Sequence, residues 1–449
     1  MSDTIVALAT PSGESAIGVV RISGAQTRRI FAEVFGAQPE ERKASKKTYS
    51  ALSGEKLDDV VAVFYKAPAS YTGEDSLEIS AHGNPFILQS IIADIIARGA
   101  RGAEPGEFTR RAFVNGKIDL SQAEAVALVI GARSQRALEA ARKQLSGELG
   151  RRIGKMSAEL LEALALAEAY IDFPEDDLPE EDKSAIAGSI ENCAREMRRL
   201  IDTAKFSPLV HCGINAVIAG APNAGKSSLL NAMLGADRAI VSDIAGTTRD
   251  FISERLSIGR NAVNLTDTAG LRPGGDEIES AGIERAREKI AACDICIYVA
   301  DARGMPDGAE FDRAALTPRN TIIAINKCDL ADARPKDIAQ KFAGYACAEI
   351  SCKTLEGIDA LKRKIDAMIN EHHITASADD ILVSARHAQA LQAALDAAMS
   401  AAQCAREGAP SELAAADLRA ALDSLGEIVG KTDSEAVLDK IFSKFCIGK

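Results

Sequence analysis

One short motif constrains the fold of this 449-residue chain more than any other feature. Residues 220–227 read GAPNAGKS and fit the pattern G-x-x-x-x-G-K-[ST], between an apolar run and a segment of helical composition. In a strand–loop–helix setting such glycines let backbone N–H groups surround a β-phosphate. Lys226 then supplies a positive charge to the β- and γ-phosphate oxygens, and Ser227 supplies a hydroxyl ligand for Mg²⁺. The motif predicts a nucleoside triphosphate site at the end of a strand.

Later motifs predict which nucleotide binds. Asp267 begins Asp-Thr-Ala-Gly after the next apolar run, where it is placed to hold Mg²⁺ through water, and the Gly270 N–H is placed to contact the γ-phosphate. The segment 326–329 reads Asn-Lys-Cys-Asp, and the Asp329 carboxylate can accept from guanine N1–H and the 2-amino group. Adenine offers no such pair of donors, so the predicted ligand is GTP.

The predicted GTP-binding residues come from these motifs, from the segment 242–248 and from the segment 351–353, whose backbone is expected to face guanine O6. They are Asn223, Ala224, Gly225, Lys226, Ser227, Ser228, Ser242, Asp243, Ile244, Ala245, Gly246, Thr247, Thr248, Asp267, Thr268, Ala269, Gly270, Asn326, Lys327, Cys328, Asp329, Ser351, Cys352 and Lys353. Thr248 is a candidate second Mg²⁺ ligand.

The expected catalytic apparatus is unusual. Small switch GTPases orient the attacking water with a Gln after D-x-x-G, and this chain has Leu271 there. Glu279 on the following segment is a candidate to reach that water, and the alternative is a solvated residue at the start of a helix. The Asn223 side chain is a candidate ligand for a monovalent cation, and the alternative is a residue that only shapes the loop. Glu279 and Lys226 are the predicted catalytic residues.

The pattern of apolar residues divides the chain into four stretches. Residues 1–120 contain short β-branched runs and one helical segment over 85–98, which predicts a mixed α/β region. Residues 121–205 have helical spacing, with a predicted capping box at Ser121 and Glu124 and a long helix that ends before Pro174. Residues 213–370 alternate strand and helix, as in a doubly wound parallel sheet, and residues 380–449 are again helical.

Composition excludes several classes of protein. The 65 acidic and 53 basic side chains give a net charge of −12, which argues against an indiscriminate nucleic-acid coat and allows a local basic patch. Nine scattered Cys residues favour reduced thiols over a disulfide framework. We find no signal-peptide pattern and no apolar run of membrane-spanning length, so a cytoplasmic protein with no membrane span is expected.

The complete set of motifs resembles one family, the MnmE (TrmE) tRNA-modification GTPases of the TrmE-Era-EngA-like group. Generic GTPases share only the nucleotide motifs. The specific blocks are ATPSGESAIGVVRISG, SYTGEDSLEISAHG, GEFTRRAFVNGKIDLSQAEA, DEIESAGIERA and the terminal FCIGK. The resemblance covers the full length of the chain.

The resemblance implies a domain plan and a reaction. The plan has an N-terminal α+β folate-binding and dimerising domain over 1–118, a split all-α domain over 119–210 and 373–449, and an inserted Ras-like α/β GTPase domain over 211–372. With an FAD-dependent MnmG-like partner, such proteins install an aminomethyl or carboxymethylaminomethyl group on C5 of the wobble uridine of certain tRNAs. The one-carbon source is a reduced folate, 5-formyl- or 5,10-methylene-tetrahydrofolate. A homodimer and a heterotetramer with the partner are expected.

The resemblance also assigns ligands to positions in this sequence. It implies K⁺ ligands at Asn223, Ser242, Ile244 and Thr247, Mg²⁺ ligands at Ser227 and Thr248, and Glu279 as the group that orients water. It implies folate contacts at Arg21, Glu78, Lys117 and Lys449. One carboxylate and three basic groups suit a pterin with amide-like donors and a glutamate tail. Without the resemblance, Arg21 and Lys117 also fit ordinary surface charges.

Two basic stretches, over 98–117 and 133–155, are candidate tRNA contacts or solvated faces. Two rival functions remain open on the sequence. One is a ribosome-assembly or membrane-associated GTPase switch without modification chemistry. The other is a nucleotide-dependent helical scaffold.

Overall fold

The computed structural model describes residues 3–172, 180–235, 253–267, 288–304, 316–374, 380–431, 435–443 and 445–448. The chain forms two compact units. Unit 1 comprises Met1–Ala127, Lys143–Arg198 and Gln389–Lys449. Unit 2 comprises Leu128–Arg142 and Arg199–Ala388.

Unit 1 begins with a six-stranded sheet in the order β3-β4-β5-β2-β1-β6. Its strands are β1 Ile5–Leu8, β2 Ser15–Ser23, β3 Ser45–Ser50, β4 Lys56–Tyr65, β5 Ser76–Gly83 and β6 Arg101–Gly102. Four of these were predicted from β-branched runs. Strand β3 was missed because its sequence, SKKTYS, is polar and only Tyr49 is buried. Helices α1 Thr27–Phe35 and α2 Pro85–Ala97 contribute apolar side chains to the core of this sheet.

The helix α2 illustrates a predicted element with a clear start signal. The Asn84 side chain accepts a hydrogen bond from the Phe86 N–H, and Pro85 occupies the first helical position. Both features favour helix initiation, because the cap satisfies an otherwise unpaired donor and proline has none to lose. Leu88, Ile91 and Ile95 then face the core.

The single long helix predicted to end before Pro174 is wrong. The region contains α4 Leu120–Gly131, α5 Gln135–Leu145 and α6 Glu148–Asp172. The capping box lies two residues upstream of the predicted one: the Asp119 carboxylate accepts from the Gln122 N–H at 2.8 Å, and the Gln122 side chain accepts from the Asp119 N–H at 3.0 Å. Asp119 was overlooked because Ser121 also fits the capping pattern.

Further helices complete unit 1. They are α3 Glu107–Val114, most of α7 Glu180–Thr203, most of α12 Ala385–Glu407, α13 Ser411–Val429 and α14 Glu435–Phe442. Helices α6 and α13 pack along each other. Leu120 and Ala123 of α4 form one apolar cluster with Phe442 and Phe445 at the end of the chain. Within the described ranges, no helix is long and apolar enough to cross a membrane.

Unit 2 contains a second six-stranded sheet in the order β12-β11-β10-β7-β9-β8. Its strands are β7 Ile214–Gly220, β8 Ser253–Ile258, β9 Asn261–Asp267, β10 Ile295–Asp301, β11 Thr321–Asn326 and β12 Ala346–Glu349. All neighbours are parallel except β8, which pairs antiparallel with β9. The predicted doubly wound α/β sheet is confirmed. Strand β8 was missed, since SERLSI has little apolar character.

Four helices of unit 2 alternate with its strands in the described part of the chain. They are α8 Ser207–His211, α9 Lys226–Leu234, α10 Pro335–Lys341 and α11 Ile358–Met368. Parallel strands bring their carboxyl ends to the same edge, and ligands of open α/β sheets bind there. The motifs that follow β7, β9, β10, β11 and β12 therefore converge.

Candidate nucleotide site

The phosphate-binding loop runs from the end of β7 to the start of α9. Gly225 caps the helix with φ +100°, in the left-handed region, and a Cβ there would lie 2.3 Å from the Asn326 amide nitrogen. Glycine is therefore required both by conformation and by space. The Lys226 ammonium donates to the Gly220 and Ala221 carbonyls at 3.0 and 2.9 Å. The lysine head thus lies over the loop, where phosphate oxygens are expected.

Two oxygen donors predicted for Mg²⁺ lie together beside the loop. The Ser227 hydroxyl donates to a carboxylate oxygen of Asp267 at 2.8 Å. Ser227 opens α9 and Asp267 ends β9, so the two neighbouring strands β7 and β9 bring them together. A hydroxyl and a carboxylate are hard oxygen donors of the type Mg²⁺ prefers, so these residues fit that ion.

Asn326 is buried between two loops and bonds to both. Its amide nitrogen donates to the Ala224 carbonyl at 2.9 Å, and its amide oxygen accepts from the Cys352 N–H at 3.1 Å. Only 2% of Asn326 is exposed. This one side chain therefore joins the phosphate loop to the segment predicted to face guanine O6.

Asp329, the predicted partner of guanine N1–H and the 2-amino group, is oriented by a neighbouring hydroxyl. The Ser351 hydroxyl, itself buried, donates to one Asp329 oxygen at 2.7 Å and accepts from the Thr354 N–H at 3.1 Å. This fixes the direction of the carboxylate. Burial, with a smaller contribution from the negative charge of Asp329, raises the pKa of the adjacent Cys352 thiol to about 11.

These residues line one cavity of about 640 Å³. Its lining comprises Pro222, Asn223, Gly225, Lys226, Ser227, Ser228, Asn326, Lys327, Asp329, Leu330, Cys352 and Lys353. The sequence motifs predicted ten of these twelve. Pro222 and Leu330 carry no chemical signal in the sequence and appear only once the loops are folded.

A carboxylate that the sequence analysis missed also belongs to this site. Asp301 ends β10, and its side chain accepts from the Lys327 ammonium at 2.7 Å. Burial would raise the pKa of Asp301, but hydrogen bonds from Arg303 and Lys327 hold it well below its usual range. Its position at the end of a strand adjoining β7 was a usable signal, because site residues of such sheets gather there.

The predicted folate residues Arg21 and Glu78 form a pair on the unit 1 sheet. They are opposite each other in the β2–β5 register, and Arg21 donates to one Glu78 oxygen through Nε at 3.0 Å and Nη2 at 2.8 Å. The Arg21 guanidinium also lies 5.7 Å from the Tyr71 ring centroid and 5.8 Å from that of Phe108. Sequence reasoning missed both rings.

Lys117 lies between α3 and α4 and contacts the loop that carries Tyr71. Its ammonium donates to the Pro68 carbonyl at 3.0 Å, and its aliphatic carbons pack close to Gly73. Tyr71 is partly exposed, and its hydroxyl shares a hydrogen bond with Thr109 at 2.9 Å. Arg21 and Lys117 therefore contact the same segment, residues 66–75, which includes Tyr71.

The C-terminal tail meets this part of unit 1. Ile447 forms an antiparallel bridge with Pro105, and the Gly106 N–H donates to the Cys446 carbonyl at 3.4 Å. Gly448 has φ +94°, and a Cβ there would lie 2.1 Å from the Leu8 carbonyl. Leu8 directly follows Ala7, the β1 residue that pairs with Arg21 of β2. The tail thus ends beside β1, the neighbour of the strand that carries Arg21.

The basic stretch 98–117 is only partly solvated, since Arg101 and Lys117 are exposed but two of its arginines are not. Arg98 and Arg111 are buried, and Arg98 pairs with Asp94 at 2.8 Å. Arg111 donates to Asp3, Glu74 and Glu107 at 2.9–3.0 Å. As tRNA contacts these two arginines are a wrong prediction, because their charges are already neutralised inside the fold.

Several predicted site residues lie outside the described part of the chain. They are Ser242, Asp243, Ile244, Ala245, Gly246, Thr247, Thr248, Thr268, Ala269, Gly270, Glu279 and Lys449.

Comparisons with known proteins agree with this architecture. A family model described as "GTP-binding protein TrmE N-terminus" matches residues 4–117, and one described as "MnmE helical domain" matches residues 120–446. A "tRNA modification GTPase MnmE" from Opitutus terrae is 45% identical over 452 residues, covering 100% of this chain and 99% of that protein. One from Moorella thermoacetica is 42% identical over 463 residues, covering 100% of both.

Among solved structures, the G domain of the T. maritima FeoB iron transporter covers 34% of this chain and 98% of its own. Its identity is 26% and its TM-score is 0.27.

The doubly wound sheet and its converging loops define a P-loop GTPase. Full-length similarity then makes the assignment specific: the chain belongs to the MnmE family of tRNA modification GTPases. As a member of that family, the protein is a GTP hydrolase that acts in tRNA modification.

Proposed function

We propose that the protein couples GTP hydrolysis to a one-carbon transfer on tRNA. With an MnmG-like FAD protein, it adds an aminomethyl or carboxymethylaminomethyl group to C5 of the wobble uridine, and a reduced folate supplies the carbon. The observation that carries this proposal is the tail, since residues 446–448 dock against β1 and residues 105–106, next to the Arg21–Glu78 pair. A simple GTPase switch has no use for that arrangement.

In the proposed folate site, the paired Arg21 and Glu78 side chains meet the pterin, where the Glu78 carboxylate accepts from the pterin donors, and Lys117 and Lys449 face the glutamate carboxylates. The arrangement of the described residues supports this. Arg21 and Glu78 are half-buried, with 21% and 29% of their side chains exposed, and the Tyr71 and Phe108 rings flank the guanidinium. Phe108 is buried, but the exposed Tyr71 ring beside the guanidinium offers an aromatic face that suits a flat heterocycle.

In the proposed GTPase site, Ser227 and Thr248 hold Mg²⁺, and Asn223, Ser242, Ile244 and Thr247 hold K⁺. The potassium ion supplies positive charge between the phosphates, in place of an arginine finger. Glu279 orients water, and Lys226 stabilises the charge on the transferred phosphoryl group. For Asn223, support comes from its position in the cavity lining and its φ of +60°.

The proposed organisation follows the family plan. Residues 1–118 form the folate-binding and dimerising domain, 119–210 and 373–449 the helical domain, and 211–372 the GTPase domain. The protein works in the cytoplasm as a homodimer that joins its partner in a heterotetramer. The second basic stretch, 133–155, remains the proposed tRNA surface, where Arg133, Arg142 and Arg151 are exposed.

Nucleoside mass spectrometry tests the proposal. Cells that lack the protein should lose the C5-substituted wobble uridine from their tRNAs, and the wild-type gene should restore it. A copy with Glu78→Gln should bind and hydrolyse GTP normally but fail to restore the modification. Full restoration by that variant would reject the folate role of Glu78. Unchanged wobble uridine in cells that lack the protein, with no folate binding by the pure wild-type protein, would favour the rival switch without modification chemistry.

A further inference from the structure

Lys327 contacts the phosphate loop directly, although it lies 104 residues further along the chain. Its ammonium donates to the Asn223 carbonyl at 2.8 Å, and that carbonyl lies in the middle of the loop. Both residues have positive φ, +68° for Lys327 and +60° for Asn223. Such values are uncommon outside glycine and persist only where neighbouring contacts fix the backbone. The lysine head must therefore itself be held in place.

Asp301 is the group in position to hold it. One Asp301 oxygen, Oδ2, accepts from Lys327 at 2.7 Å and from Arg303 Nη2 at 2.9 Å. The other, Oδ1, accepts from the Arg303 N–H at 3.0 Å and from Arg303 Nε at 3.1 Å. The carboxylate makes four hydrogen bonds, all as an acceptor, and 15% of the side chain is exposed.

We propose that Asp301 is a positioning residue for nucleotide binding, which acts through Lys327 to fix the phosphate loop at Asn223. Arg303 in turn orients Asp301 by donating hydrogen bonds to both of its carboxylate oxygens. The chain of contacts thus runs from the end of β10 to the middle of the loop. Asp301 itself does not touch the nucleotide.

The geometry makes Asp301→Asn a sharp test. An amide has the same shape as a carboxylate, but its nitrogen cannot accept a hydrogen bond. In one orientation that nitrogen would face the donors of Arg303, and in the other it would face Arg303 and Lys327. Hydrogen bonds to a charged group are stronger than neutral ones, so their loss should weaken GDP and GTP affinity by about tenfold. Asp332→Asn is the matched control, because it removes the same charge from an exposed position in the following loop.

The experiment is a double-mutant cycle in the full-length protein. Affinity for a fluorescent GDP analogue is measured for the wild type, Asp301→Asn, Lys327→Ala and the double variant, with thermal melting of each. We expect Asp301→Asn to weaken binding in the wild type and to have no further effect once Lys327 is absent. Asp332→Asn should match the wild type.

Two results would overturn the proposal. One is unchanged affinity in Asp301→Asn, and the other is an equal loss from Asp301→Asn whether or not Lys327 is present. If Asp301→Asn does not fold, the same cycle with Arg303→Ala decides, because Arg303 is partly exposed at 46% and its truncation leaves no buried group unpaired. Additive effects of Arg303→Ala and Lys327→Ala would then reject the chain of contacts.

Discussion

The Asn326 amide nitrogen donates to the Ala224 carbonyl at 2.9 Å, so the segment predicted to recognise guanine contacts the phosphate loop directly. The same side chain accepts from the Cys352 N–H at 3.1 Å. The sequence marks Asn326 only as one member of a guanine motif. In the structure, this one side chain connects the segments predicted to contact the base with the loop predicted to contact the phosphates.

Asn326→Ala should therefore destabilise the protein even without nucleotide. Two buried backbone groups, the Ala224 carbonyl and the Cys352 N–H, would lose their partner, which corresponds to about 2 kcal/mol or more of unfolding free energy. Chemical denaturation of the nucleotide-free protein measures this. Asn370→Ala is the control, because that exposed side chain bonds only within its own helical turn. Equal stabilities of the two variants would contradict the bridging role.

Guanine specificity should depend on Asp329. In Asp329→Asn the amide oxygen can still accept from Ser351, but the amide nitrogen cannot accept from guanine N1–H. GTP affinity should fall by about 100-fold, while xanthosine triphosphate, which presents an acceptor in place of the 2-amino group, should bind better than GTP. Competition binding with the two triphosphates measures this. Unchanged GTP affinity would refute the assignment of the base.

Hydrolysis should depend on the monovalent cation. We expect turnover to be about 10³-fold faster in K⁺ than in Na⁺, because one positive charge at the phosphoryl transition state is worth that much. Asn223→Ala should remove the K⁺ effect and leave the slow rate in Na⁺ unchanged. Glu279→Ala should be slow in both salts. Steady-state phosphate release at equal ionic strength measures these rates, and equal wild-type rates in the two salts would reject a cation site.

The tail should matter for modification and not for GTP hydrolysis. Deletion of residues 446–449 should abolish tRNA modification and weaken folate binding, while basal hydrolysis stays intact, because no nucleotide motif lies beyond residue 353. Gly448→Ala is a finer variant: the added Cβ would meet the Leu8 carbonyl at 2.1 Å, so the tail must move. Gly408→Ala is the matched control, with positive φ but open space around it.

Nucleoside analysis and folate titration of these three variants give the result. Normal modification by the truncated protein would show that the tail has no role at the folate site. A loss in Gly408→Ala equal to that in Gly448→Ala would show that backbone strain, and not displacement of the tail, causes the defect.

The sequence by itself determined the motifs of the nucleotide site and most of the strands in the two sheets. The loop at residues 220–227 and the strands around it follow from local sequence patterns. Spaced glycines and runs of β-branched residues favour the same local structure in any fold. Buried strands such as β7 and β10 are almost continuously apolar and were predicted directly. The edge strands β3 and β8 were missed, because an edge strand needs few apolar residues and owes its place to its neighbour.

Only the tertiary structure decided which charges are neutralised and which residues act at a distance. Arg111 looks like a solvated cation in the sequence, but three carboxylates from separate segments surround it. Asp301 looks like an ordinary strand end, but it contacts the lysine of the guanine motif 26 residues further along the chain. Such pairings depend on which strands become neighbours and on how loops cross their ends. Long-range contacts of this kind leave no periodic signal in the sequence, so local pattern alone does not reveal them.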